Sequence, residues 1–344
     1  APLAETVTEG AFIGCNSLTN LYLPRLRNIT GSSIGENTGV RTLTIDGANR
    51  VRLKPASSTP AGTEKPGAFH NLGPGTVGFV GVAFEGFQTK GCGGAIRTQG
   101  PLALTNCTFT GCVALGYGGA VYAAASNKVD AFNCRFERNR AGKSGGGLYS
   151  RSRTVVARSC FVDNVAVWSG GGMTLNAPGF THGIEHCSAF GNATNARGGG
   201  FDFAGGTALV GACTLSGNGG GGMHVGERLV TVSTVAVGDE TYVAPRPHDV
   251  DVDSRAEMVS CGSSFGRSSA MRAQGMTSFV GIEPSAMFKF DYLSATNVNG
   301  VVQSYRGVTS RNKSIVQGCA VWHPADWSGI GWSARTTDAQ GTLV

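Results

Sequence analysis

Short alternating stretches of apolar and polar residues recur along the middle of the chain, each closed by glycine or by a small polar residue. Ala103-Leu104-Thr105 and Val155-Val156-Ala157 read as β, since β-branched and apolar residues packed into so few positions suit a strand and not a helix. The repeats carry two markers. One is a Gly pair or triplet before an apolar residue: Gly93-Gly94-Ala95-Ile96, Gly118-Gly119-Ala120-Val121, Gly145-Gly146-Gly147-Leu148, Gly170-Gly171-Gly172-Met173, Gly198-Gly199-Gly200-Phe201 and Gly220-Gly221-Gly222-Met223. The other is a cysteine series, Cys107, Cys134, Cys160, Cys187 and Cys213, at intervals of 27, 26, 27 and 26. An asparagine follows at Asn139, Asn164, Asn192 and Asn218, and Cys112 holds that place in the first copy.

A period near 26 residues is too short for two helices with their loops and is ample for a coil of about three short strands and three turns. Coils of that kind stack in parallel at about 4.8 Å, so equivalent residues lie above one another. The expected fold is therefore an all-β, right-handed parallel β-helix of about 26 residues per coil, its hand following the preference of parallel crossovers. Stacking turns the cysteines into an interior ladder, the phenylalanines Phe109, Phe136 and Phe161 into another, and the asparagines into a hydrogen-bonding column at a turn. The Gly pairs are expected to supply the left-handed or tightly bent backbone of each corner. On that ground Gly172→Val is expected to destabilise its coil, because valine avoids such a backbone.

These motifs resemble a known group. Gly118-Gly119-Ala120-Val121-Tyr122 with Phe136-Glu137-Arg138-Asn139 is similar to the Gly-Gly-Ala-Ile and Phe-x-x-Asn repeats of chlamydial polymorphic outer-membrane proteins and related β-helix proteins, over residues 80–225. The resemblance implies a surface or fibre role. The same helix also serves pectate-lyase-like enzymes, so it decides shape more than function. Residues 11–45 show another period. The segment from Ala11 to Pro24, with Phe12, Leu18, Leu21 and Leu23, resembles the leucine-rich repeat of bacterial BspA-type surface proteins, which implies adhesion. The same residues also fit as the first coils of the β-helix. Either way the segment 1–53 caps one hydrophobic end of the solenoid. Residues 54–76, with Pro55, Pro60, Pro66 and Pro74, read as a loop. The β-helix is expected over 77–265 with an insertion near 238–256, and an aperiodic, aromatic, β-rich cap or small domain over 266–344.

Composition narrows the classes of function. Glycine reaches 54 of 344 residues without a Gly-X-Y period, which excludes collagen. Only 15% of residues are charged and 41% are hydrophobic, a balance that buries a core. The net charge of +6 is scattered without a basic run, so nucleic acid is not an expected partner, and weak attraction to acidic polysaccharide is. No stretch is apolar for long enough to span a membrane. There is no Gly-Lys-Ser/Thr phosphate loop, no Cys-x-x-Cys pair, and no cofactor is implied. Ladder cysteines point the same way, which hinders the disulfide dihedral, so buried free thiols are expected.

The acidic residues of the repeat block, Glu85, Asp130, Glu137, Asp163, Glu185 and Asp202, form none of the grouped sets that polysaccharide hydrolases use. The best candidate for catalysis is His248 with Asp249, Asp251 and Asp253, near Arg246; their alternation puts the three carboxylates on one face of a strand, where they could also hold calcium. Trp322, Trp327 and Trp332 recur every five residues and are candidates for stacking on sugar rings. The reading is a non-enzymatic extracellular protein of a cell surface, fibre or virion spike or tail. Its partners would be a polysaccharide or cell-surface glycan, further copies of itself, or a larger surface complex. The alternative is a polysaccharide lyase, hydrolase or epimerase of the pectate-lyase-like class.

Overall fold

The structure is a computed structural model that describes residues 75–124, 128–232 and 234–237 without a break. Shorter described pieces are 4–8, 11–12, 15, 20–22, 25–29, 42–55, 68–71, 250–252, 257–261, 264–265, 271–273, 278–280, 287–288 and 320–321. Among these residues there is no helix, and every strand pairing is parallel. The chain is a parallel β-helix of stacked coils about 26 residues apart.

Each coil has a first strand after the Gly corner (Ile96–Thr98, Val121–Ala123, Leu148–Ser150), a second (Leu102–Thr105, Lys128–Phe132, Arg153–Ala157) and a third (Thr108–Thr110, Arg135–Glu137, Cys160–Val162). A fourth strand of two residues was not expected. Gln88–Thr89, Val113–Ala114, Arg140–Ala141, Val165–Ala166 and Ala193–Thr194 form a separate five-stranded sheet along one edge. The stacking extends beyond the plain repeats. Thr42–Pro55 pairs with Thr76–Glu85, and Met271–Ala273 and Ser278–Val280 pair with Val250–Val252 and Glu257–Cys261. Within the stretch read as a loop, Phe69–Asn71 is a first strand on Ile96–Thr98; no Gly pair precedes it, but Phe69 is buried with its ring 4.7 Å from that of Phe79.

The corners are built differently. At the Gly corner Gly93, Gly118, Gly145, Gly170 and Gly198 hold φ of 72, 66, 73, 61 and 61°, which glycine adopts at no steric cost. The next glycines serve another purpose. Gly172 has no positive φ; a Cβ there would lie 2.6 Å from Gly200 O and 3.2 Å from Phe161 Cβ. Its smallness is needed because backbones of successive coils meet there, not because of its dihedral. Between second and third strands a single left-handed residue turns the chain, and it need not be glycine: Gly81 has φ of 63°, and in the coils that follow Asn106, Asn133, Arg158, His186 and Ala212 have φ of 53, 52, 51, 52 and 48°.

The interior is columnar. Phe84, Phe109, Phe136 and Phe161 stack with centroids 4.8, 4.9 and 4.7 Å apart, the spacing of the coils themselves. The column then changes partner: Ala189 pairs with Phe161, and Phe201 from the first strand packs edge-on against Phe161 at 5.4 Å. Phe190 points outward instead, 38% exposed. The asparagine column is closed to solvent. Asn139 Nδ2 donates to Asn164 Oδ1 (2.9 Å) and Phe109 O (3.0 Å), Asn164 Nδ2 to Asn192 Oδ1 and Phe136 O (both 2.9 Å), and Asn192 Nδ2 to Asn218 Oδ1 and Phe161 O (both 2.9 Å). Cys112 N donates to Asn139 Oδ1 at 2.9 Å, which ends the column.

The cysteine column has one exception. Cys107, Cys134, Cys187 and Cys213 occupy it, but the third place belongs to Ser159, which is buried and accepts from Cys134 N at 3.0 Å. Cys160 lies one residue on, in the third strand, paired with Arg135 and Ser188. The reason is coil length. Asn139 to Asn164 is a step of 25 residues, and the same step from Cys134 arrives at Ser159, not Cys160. Thiol and hydroxyl do the same work there: Cys107 donates to Phe79 O (3.3 Å), Ser159 to Ala157 O (2.9 Å) and Cys187 to Val156 O (3.4 Å).

Candidate functional site

On the first strands from Ile96–Thr98 to Met223–Val225 the outer residues face inward and pack the core, while the middle residue faces out. The register lines these middle residues up along the rod: Arg97, Tyr122, Tyr149, Thr174, Asp202, His224 and then Asp251. Turn residues just before the Gly corner, Tyr117, Lys143, Ser144, Trp168, Ser169 and Arg197, wall this column on one side. The result is a strip whose two halves differ in chemistry.

The first half is aromatic. Tyr122 and Tyr149 stack at 5.7 Å, Tyr117 lies 4.6 Å from Tyr149, and Trp168 meets Tyr117 edge-on at 6.0 Å. The Lys143 ammonium sits over both Tyr117 (4.9 Å) and Trp168 (5.1 Å), held by the negative faces of the rings. Burial raises the pKa of the Tyr149 phenol. At the head of the column the Arg97 Nε is buried with no hydrogen-bond partner among the described residues.

The second half is a polar relay. The Asp202 carboxylate, 2% exposed, binds His224 Nδ1 at 2.7 Å and Ser169 Oγ at 2.5 Å. Ser169 Oγ is also 3.1 Å from Ser144 Oγ. A carboxylate only accepts, so Ser169 gives its proton to Asp202 and accepts from Ser144. His224 Nε2 lies 3.4 Å from Arg197 Nη1, and arginine only donates. With Nδ1 turned to the Asp202 carboxylate, Nε2 is the ring nitrogen on the side of Arg197. An imidazole aligned by a buried carboxylate is suited to proton transfer. Ser169 is bonded to the carboxylate and not to the imidazole, so these three residues are not in the order of a nucleophilic triad.

The other buried histidine is part of the frame. His182, fully buried, accepts from Thr154 N through Nδ1 and faces Gly205 O through Nε2, both at 3.3 Å, so it is neutral and protonated on Nε2. Burial lowers its pKa from the usual 6.5. The unfolded chain takes up that proton first, so this contribution to stability is complete above about pH 6.5 and is lost as pH falls through the depressed value. Cys15, Cys92, Cys107, Cys112, Cys134, Cys160, Cys187 and Cys213 are free thiols. Burial pushes Cys112 up to about 12, and a neighbouring thiol together with burial holds Cys134 and Cys187 well above the usual range, so none of these three is a ready nucleophile or metal ligand.

Of the acidic trio, Asp251 stands in the strand Val250–Val252 in register with His224, while His248, Asp249 and Asp253 lie outside the described residues, as do Trp322, Trp327 and Trp332. Among the described residues no group of three or more His, Cys, Asp or Glu could hold a metal ion. The strip itself was missed, although a signal for it exists. Each of its members lies four residues after the first glycine of a marker: Gly93 to Arg97, Gly118 to Tyr122, Gly145 to Tyr149, Gly170 to Thr174, Gly198 to Asp202 and Gly220 to His224.

Comparison with family models, with curated proteins and with solved structures finds no match. The fold assignment thus rests on the geometry of the chain itself.

Proposed function

We propose that this chain is a non-enzymatic extracellular surface or fibre protein that uses a rigid β-solenoid for attachment, with glycans as partners. The observation that carries this reading is the pair of unbroken internal columns, stacked Phe84 to Phe161 and hydrogen-bonded Asn139 to Asn218. They make each coil depend only on its neighbours, the construction of a stiff rod that can be lengthened without a new core. The aromatic half of the outer strip, with Tyr117 and Tyr122 partly exposed, offers sugar-sized ring faces along that rod.

A second reading, a polysaccharide-active enzyme of the same fold, is favoured by one feature, the Asp202–His224 pair with Arg197 beside its Nε2. A glycan array run beside reducing-end and double-bond assays on the same acidic and neutral polysaccharides separates the two. Binding without turnover is the expected result, with affinity lowered in Tyr122→Ala. Turnover that disappears in His224→Ala would overturn the attachment reading in favour of the enzyme.

A further inference from the structure

The fourth strands and the turns that follow them form one long edge of the rod, with a composition unlike the rest. Over residues 87–92, 112–117, 139–144, 164–169 and 192–197 it carries Lys90, Arg140, Lys143 and Arg197 and not one Asp or Glu. The same edge holds three of the exposed large hydrophobic side chains of the molecule: Leu115 at 61%, Val167 at 45% and Trp168 at 50%.

Their arrangement follows from the register. Val113–Ala114 pairs with Gln88–Thr89 and with Arg140–Ala141, which pairs in turn with Val165–Ala166. One residue on, Lys90, Leu115, Gly142 and Val167 therefore stand in a single column. Leu115 and Val167 are two coils apart, about 10 Å at the spacing of parallel strands. Gly142 between them has no side chain, and Trp168 follows Val167 directly. The two aliphatic side chains and the indole thus project from the edge as an apolar ridge with bases beside it. Such a combination marks an interaction site and not ordinary solvated surface.

We propose that this edge docks on an anionic lipid bilayer, with Leu115, Val167 and Trp168 entering the headgroup region and the bases facing lipid phosphate. Charge complementarity selects an anionic partner, because the edge presents cations alone. The aliphatic pair selects a bilayer over a soluble polyanion. Leucine and valine gain nothing from sugar hydroxyls or sulfates and gain directly from an apolar medium. Trp168 has Lys143 over its ring and Tyr117 at its edge, which leaves its indole placed as an interfacial anchor more than as an open stacking platform. This docking goes beyond attachment to glycans, for it uses the edge and not the strip of Tyr122 and Tyr149.

The test is cosedimentation of the full chain with vesicles of phosphatidylcholine and phosphatidylglycerol in equal amounts, beside vesicles of phosphatidylcholine alone. Two double variants at exposed positions accompany it, Leu115→Ser with Val167→Ser and Lys90→Gln with Arg140→Gln, each with its melting temperature checked by circular dichroism. Binding to the anionic vesicles is expected, and each double variant should lower it by roughly tenfold while melting as the parent does. No binding of the parent chain, or binding that neither pair alters, overturns the proposal. Binding that needs the bases but not the aliphatic pair, and that a soluble polyuronate competes away, also overturns it and makes the edge a polyanion site. None of these outcomes depends on the glycan array, so the attachment reading stands or falls separately.

Discussion

The asparagine corner and the glycine corner of each coil face the same difficulty and meet it by opposite means. Both must turn a backbone that has no room, beside an identical turn one coil above and one below. At the asparagine corner a side chain is added, and Asn164 Oδ1 accepts from both Asn139 N (3.0 Å) and Asn139 Nδ2 (2.9 Å) in the coil before it. At the glycine corner the side chain is removed, so that Gly172 can sit where a Cβ would lie 2.6 Å from Gly200 O. One corner is held by satisfied polar atoms, the other by close approach. The comparison teaches that the repeat is maintained by two independent requirements, polar satisfaction and volume, which different substitutions should break.

The largest effect is expected at the asparagine column. Asn164→Leu keeps the volume but leaves Asn139 N buried without its acceptor, takes from Asn139 Nδ2 one of its two acceptors and takes from Phe136 O a side-chain donor. At about 1–3 kcal/mol for the orphaned amide, with the other hydrogen bonds lost besides, urea unfolding should show a loss of roughly 4 kcal/mol. A loss below about 1 kcal/mol would mean that the column is ornamental. Next comes Gly172→Val, with roughly 3 kcal/mol lost to overpacking in the same measurement. The cause is the contact with Gly200 O, so Gly172→Ala should already carry part of the cost, as a requirement for positive φ alone would not predict at this residue. The smallest effect sharpens the contrast. Gly111 has φ of 63° and nothing within 4 Å of an added Cβ, and the equivalent turn positions hold Arg138 and Asp163 at 54 and 53°. Gly111→Asn should therefore cost under about 1 kcal/mol, since asparagine tolerates the left-handed region. A loss like that of Gly172→Val would show that glycine is needed at this turn for some reason other than space.

The reading of the chain succeeded where equivalent residues repeat and failed where only the stack creates equivalence. Phe109, Phe136 and Phe161 announce their column because each coil supplies the same side chain. The column of Tyr149, Thr174, Asp202 and His224 shows only in its place four residues after a marker glycine, because its members have no residue type in common. Cys160 illustrates the middle case. A cysteine at nearly the right interval counts as a member until the 25-residue step of its own coil moves Ser159 into the place. The Ser169–Asp202–His224 relay joins residues separated by 33 and 22 positions, and nothing local marks them as partners.

The amino-acid sequence alone determined the class of fold, the coil length and the identity of the main interior ladder residues. A repeating coil writes its own period into the chain, and hydrophobic burial selects the same side chains each time. Tertiary structure alone decided which outward residues meet. Coil length varies by a residue or more from turn to turn, so the exact register exists only after the strands have paired. The outer column is also buried, at Tyr149, Thr174, Asp202 and His224, but by different turn residues in each coil, so nothing makes its members alike. The relay around Asp202 and the basic, apolar edge around Leu115 and Trp168 are consequences of that register, and they come into being only when the coils stack.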